Sequence, residues 1–204
     1  MPEGLPTRVP EDGLTTRQRR AQPLLAVHTG AGKGKSTAAF GMALRAWHAG
    51  WPVAVYQFIK GPKWRTGEEA ALRVLGEHHE RTGQGAPVVW NKLGEGWLWL
   101  VRLGEERDHA AAAAAGWAQV KQDLAEQRHR FYVLDELTYP MVWGWIDTAD
   151  VVATLRERSD TQHVVVTGRN APPELLELAD LVTETRKIKH PMDAGRLGQQ
   201  GIEW

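Results

Sequence analysis

Residues 24–37 constrain this chain more than any other stretch. An apolar run, Leu24 to His28, leads into Thr29-Gly30-Ala31-Gly32-Lys33-Gly34-Lys35-Ser36-Thr37, and a helical pattern follows at once. Strand, glycine-rich turn and helix in that order make a phosphate cradle. Glycines let backbone N–H groups turn inward without a clashing side chain, and the helix N-terminus adds its positive end. Lys35 supplies positive charge for phosphate, and the Ser36 hydroxyl suits Mg²⁺. The strict pattern G-x-x-x-x-G-K-[ST] is missed at one position, because Thr29 stands where the first glycine belongs. The spacing is not G-x-G-x-x-G, which argues against a dinucleotide site.

Beyond this loop, apolar runs and helical stretches alternate. Runs at 24–28, 53–59, 87–90, 131–134 and 163–167 read as strands, with an edge strand at 181–184. Helical spacing covers 35–49, 68–75, 108–128, 148–158 and 172–179. The alternation predicts an α/β fold with a mostly parallel central sheet flanked by helices. Six alanines at 110–115 predict close packing of the long helix. Residues 1–22 lack an apolar period and read as an N-terminal tail or mobile cover, so residues 23–204 form the domain proper. Ligands in such sheets bind beyond the carboxyl ends of the strands, which places the loops at 29–36, 60–67, 91–99, 135–139 and 168–171 on one rim.

Lys and Arg together number 25, as do Asp and Glu. No global basic field exists to gather nucleic acid. The 204 residues contain no cysteine, which excludes disulfides, thiolate catalysis and Cys-ligated metal centres. No signal-like stretch or run of 18 apolar residues occurs, so a cytoplasmic protein without a membrane anchor is expected. Ten tryptophans stand against three Phe and three Tyr, enough to fill a core and also line a flat apolar pocket.

Three further motifs fall on the rim. Phe131 to Asp135 is an apolar strand ending in a carboxylate, where a P-loop fold organises Mg²⁺; Asp135 would act with Ser36. Glu136 follows, and in many P-loop ATPases a carboxylate there orients the attacking water. Arg169, in Thr167-Gly168-Arg169-Asn170, reads either as a bidentate phosphate or carboxylate contact or as a plain surface residue. Trp97 and Trp99 flank Leu98 after two glycines. If extended, both indoles point the same way and form one wall against a flat ligand, or else they anchor the loop into the core.

These segments taken together, at 29–46, 57–61 (Gln-Phe-Ile-Lys-Gly), 67–68, 133–139 (Val-Leu-Asp-Glu-Leu-Thr-Tyr), 166–169, 178–184 and 189–195, resemble the P-loop class of corrinoid adenosyltransferases (CobA/CobO/BtuR type). The resemblance implies a RecA-like P-loop fold and a homodimer. It implies transfer of the 5′-deoxyadenosyl group of Mg·ATP to a cob(I)corrinoid (cobyrinic acid a,c-diamide, cobinamide or cobalamin), with triphosphate leaving. In this family ATP lies reversed in the loop. By position, residues 30–36 would hold the triphosphate, Lys35 its charge and Ser36 the Mg²⁺. Glu136 would be the metal-associated carboxylate and Arg169 the nucleotide-contacting arginine. Trp97 and Trp99 would help displace the lower cobalt ligand, and a reduced flavoprotein would deliver the electron. Ala31, Ser36, Trp97 and Asn170 depart from the family pattern. Two other readings remain at this point: a P-loop ATPase or small-molecule kinase using Glu136, and a nucleotide-binding module without catalysis.

Overall fold

The protein is described by a computed structural model over residues 11–61, 64–93 and 106–203. Six strands form one sheet: β1 (Leu25–Thr29), β2 (Val53–Gln57), β3 (Val88–Lys92), β4 (Phe131–Asp135), β5 (His163–Thr167) and β6 (Leu181–Glu184). Their order is β3-β2-β4-β5-β1-β6, and every neighbouring pair is parallel. This is the α/β fold that the alternation predicted, consistent with a P-loop, RecA-like domain. Strands β1, β2 and β4 are buried along their whole length, as parallel strands covered on both faces must be.

Among the described residues there are seven α-helices: α1 (Thr16–Ala21), α2 (Lys35–His48), α3 (Gly67–Thr82), α4 (Glu106–Ala125), α5 (Thr138–Val142), α6 (Thr148–Glu157) and α7 (Pro173–Leu178). Alternation along each strand divides the core in two. Ala26, Val53, Val55, Phe131, Val133 and Val165 pack with Phe40 and Ala43 of α2 and Leu72 of α3. Leu25, Val27, Tyr56, Leu134 and Val166 pack with Trp117 and Leu124 of α4, Leu155 of α6 and Leu175 of α7. Fully burying one such Leu or Val side chain contributes about 1.5–3 kcal/mol.

Several elements depart from the sequence expectations. The segment 11–22 contains α1, a helix with no buried residue; a capping box between Thr15 and Gln18 starts it in place of an apolar face. Helix α3 runs on to Thr82 and stops where Gly83 adopts φ 71°. Helix α5 was not foreseen. Of the six alanines at 110–115 only Ala113 is buried. The close approach in α4 belongs instead to Gly116, where a Cβ would meet the Leu93 side chain.

Candidate phosphate-binding site

Strand β1 ends at Thr29 and α2 begins at Lys35, with the predicted loop between them. Gly34 caps the helix at φ 100°, a left-handed conformation that favours glycine. The first bond back into the helix is Ala38 N–H to the Gly34 carbonyl. The N–H groups of Lys35, Ser36 and Thr37 therefore precede the helical ladder and face the loop mouth. Gly30 and Gly32 lie flat against residues 184–186: a Cβ on Gly32 would stand 2.8 Å from the Arg186 carbonyl carbon. Ala31 and Lys33 are exposed, and the Lys33 ammonium pairs with Glu203. Of the two loop lysines, only Lys35 turns inward.

Lys35 is buried, and its ammonium donates to the carbonyls of Gly30 (2.9 Å) and Gly32 (2.6 Å). Burial lowers its pKa; the carboxylates Glu136 and Asp135 oppose that shift and Arg169 adds to it. The adjacent Asp135 and Glu136, and Arg169 from the next strand's loop, all far from Lys35 in sequence, thus share one electrostatic environment with it.

Register explains the meeting. Gln57 pairs with Asp135, and Thr167 with His28; together they form a polar row at the carboxyl ends of the strands, on the α2 face. Asp135 is fully buried. It accepts from Gln57 Nε2 at 2.9 Å, Lys60 Nζ at 3.2 Å and Thr167 Oγ1 at 2.8 Å. Burial alone would raise its pKa; the Lys60 charge and hydrogen bonds from Ser36, Gln57 and Thr167 outweigh that and hold it low. Ser36 is thereby brought onto Asp135.

Glu136 adopts φ 62°, a left-handed conformation uncommon for a side chain this size. Its N–H donates to Thr167 Oγ1 at 3.0 Å, and its Oε2 is buried with no hydrogen-bond partner. Burial, then the neighbouring Asp135 charge, raises its pKa to about 7. The desolvated Glu136 oxygen, and the Ser36 hydroxyl that bonds to the adjacent Asp135, are the kind of hard oxygen donors that small divalent cations take. Among the described residues no cluster of three or more His, Cys, Asp or Glu gathers, so any such ion would share its shell with phosphate or water.

Arg169 stands exposed just beyond β5, and its carbonyl accepts from Thr138 Oγ1 at 2.7 Å. Gly168 passes so close to Thr138 that a Cβ there would collide with it. This ties the β4 and β5 loops together. Trp97 and Trp99 lie outside the described residues.

Residues 21–204 match the family described as ATP:corrinoid adenosyltransferase BtuR/CobO/CobP. The chain belongs to that family. It is 44% identical over 182 residues to a corrinoid adenosyltransferase of Sinorhizobium sp, covering 89% of this chain and 80% of that one. It is 41% identical over 193 residues to the corrinoid adenosyltransferase of Pseudomonas aeruginosa (95% and 89%). To the corrinoid adenosyltransferase CobA of Salmonella typhimurium it is 37% identical over 193 residues (95% and 91%).

The adenosyltransferase fold also gathers residues to which the sequence motifs assigned no role. Gln57, Lys60 and Thr167 surround Asp135. Because Gln57, Asp135 and Thr167 each close a strand, strand periodicity carried a signal for them. An aromatic ledge follows Glu136: Tyr139 and Trp143 have ring centroids 5.2 Å apart, Trp143 and Trp145 4.7 Å, and His109 and Trp145 6.4 Å. Trp143 is 41% exposed. Burial and then the Glu136 charge raise the Tyr139 hydroxyl's pKa, with Arg169 opposing. The ledge therefore adjoins the charged site.

Proposed function

We propose that this chain transfers the 5′-deoxyadenosyl group of Mg·ATP to the cobalt of a reduced corrinoid. The observation that carries the reading is the inward Lys35 ammonium on a phosphate loop, within electrostatic reach of Asp135, Glu136 and Arg169, in a member of this family. The Co(I) centre is itself the nucleophile. Its electron pair forms the Co–C5′ bond, the C5′–O bond breaks, and triphosphate leaves with that bonding pair. The protein needs no nucleophile of its own. It binds, orients and neutralises charge.

In this reading the N–H groups at the start of α2, Lys35 and Arg169 hold the triphosphate. Ser36 and Glu136 are the residues that would hold Mg²⁺, and the ion would supply further charge neutralisation on the leaving group. Asp135 supports them from behind, because both its oxygens already accept hydrogen bonds from protein donors. Trp97 and Trp99 are the wedge that removes the lower cobalt ligand, and Tyr139, Trp143 and Trp145, tilted against one another, add apolar surface beyond Glu136. On the resemblance to the family we assign a reduced flavoprotein as the electron donor and the cytoplasm as the compartment. Among the described residues no helix is long and apolar enough to cross a membrane. A homodimer is favoured by the edge of β6, unpaired on its outer side among the described residues, where Leu181 and Val182 are exposed; light scattering in solution tests it.

One observation favours a second reading. The Glu136 carboxyl, with a pKa raised to about 7, is poised for general-base catalysis on water, as an ATPase requires. A single assay separates the two. The protein is given Mg·ATP and chemically reduced corrinoid, and both the Co–C absorption change and the phosphate product are followed. Alkylated corrinoid with triphosphate supports the transferase. Orthophosphate and ADP without alkylated corrinoid would replace it with the hydrolase, and tight ATP binding without turnover would leave only a binding module.

A further inference from the structure

We propose that the Thr185 hydroxyl is a positioning group for triphosphate binding, holding the Gly32 carbonyl of the phosphate loop when Lys35 leaves it for the ligand. The inference rests on the phosphate-loop part of the function proposed above, not on the corrinoid chemistry.

Thr29 stands where a strict loop has glycine, and register gives the reason. Thr29 is still strand: it pairs with Glu184 of β6, a place where a β-branched residue fits and glycine weakens the pairing. Its own hydroxyl accepts from Ala171 N–H at 3.3 Å. The turn therefore starts one residue late, and the chain beyond β6 braces it. Thr185 N–H donates to the Thr29 carbonyl, and Gly32 N–H donates to the Thr185 carbonyl, both at 2.8 Å. The Thr185 hydroxyl lies 3.0 Å from the Thr29 carbonyl oxygen and 3.1 Å from that of Gly32. Its single proton is shared between them.

The Gly32 carbonyl thus has two partners, Thr185 Oγ1 and the Lys35 ammonium at 2.6 Å. The Lys35 ammonium carries three N–H donors and two are spent on the Gly30 and Gly32 carbonyls, so to hold phosphate with more than one of them it must give up one or both carbonyls. Losing a partner for a buried carbonyl is costly, and Gly32 is buried. Thr185 cannot follow Lys35, because its backbone is bonded to Thr29 and Gly32 and the contact leaves no room for a Cβ on either Gly30 or Gly32. Its hydroxyl then turns fully to Gly32 and keeps the loop in shape while the lysine moves. The brace acts through the loop, so Thr185 is a positioning residue and not a catalytic one.

The test is equilibrium binding of Mg·ATP and of inorganic triphosphate to the wild type, Thr185→Val, Thr185→Ser and Thr185→Ala. Val and Ala should weaken both ligands about three- to tenfold, the value of one hydrogen bond. Ser should bind within about twofold of wild type. The KM for corrinoid should be unchanged in all four. Wild-type affinity in Val or Ala overturns the inference, as does Ser binding as weakly as Val, which would mark a packing role for the methyl. If Val unfolds, Ala against Ser gives the same comparison. Failure of the wild type to bind either ligand would instead remove the phosphate-site reading itself. Normal binding without adenosylation would remove only the corrinoid reading.

Discussion

Thr167 Oγ1 donates to the Asp135 carboxylate at 2.8 Å and accepts the Glu136 N–H at 3.0 Å. One hydroxyl on β5 therefore sets both acidic residues at the end of β4. Thr167→Val keeps the volume and removes both bonds, leaving a buried carboxylate short of a donor and a backbone N–H without an acceptor. We expect a loss of about 2 kcal/mol in urea unfolding and weaker Mg·ATP binding. An unfolding free energy within about 0.5 kcal/mol of wild type would mean that Asp135 holds Glu136 unaided.

The raised pKa of Glu136 has a definite sign in stability. Its carboxyl titrates near 7 when folded and near 4.5 when unfolded. Between those values the folded state holds a proton that the unfolded chain has released, so ligand-free stability falls as pH rises through this window. Glu136→Gln lacks this term. The wild type should therefore lose up to about 3 kcal/mol relative to the variant between pH 5 and pH 8. Mg·ATP should flatten the slope, since a nearby cation favours the ionised carboxylate. Parallel stability–pH curves for the two ligand-free proteins would contradict the assignment.

His28 gives a pH effect of opposite sign. It is buried on β1, neither ring nitrogen has a hydrogen-bond partner, and burial lowers its pKa. Below its ordinary pKa the unfolded chain binds a proton that the folded state refuses, so stability is lost as pH falls through about 6.5. His28→Phe removes both the titration and the two unsatisfied nitrogens. Thermal unfolding should show a stabilised variant, with a larger gain at pH 5 than at pH 8. A variant destabilised at both pH values would mean that an ordered water serves the imidazole.

Trp143 is the outermost ring of the ledge. Trp143→Ala should raise the KM for corrinoid by about threefold or more and leave the Kd for Mg·ATP unchanged, as read by steady-state kinetics beside equilibrium binding. Loss of ATP affinity alone would place adenine, not corrin, against the ledge.

Much of the site was legible in sequence because its parts are local. The loop at 29–37 carries its own glycines, its lysine and its helix start. Asp135 and Glu136 end an apolar run, and Arg169 follows another. These patterns survive without knowing which strand lies beside which. Lys60, Thr185 and the ledge were not legible as site residues, for a physical reason. Lys60 matters only because the loop after β2 folds over the end of β4, and Thr185 only because β6 lies against β1. The alanine run illustrates the converse: helix propensity at 110–115 was read correctly, but which residue allows close approach depends on what lies opposite, and that was Gly116 against Leu93.

By itself, then, the sequence determined the alternating elements, the parallel α/β class and the phosphate loop, because periodicity and backbone preference act over a few residues. The tertiary structure alone decided that the Asp135 carboxylate is saturated by Gln57, Lys60 and Thr167, that Glu136 keeps a buried unpaired oxygen, and that Thr185 braces the loop. Those facts depend on register between strands more than 20 residues apart in the chain, and only the packing of the helices on both faces of the sheet fixes that register.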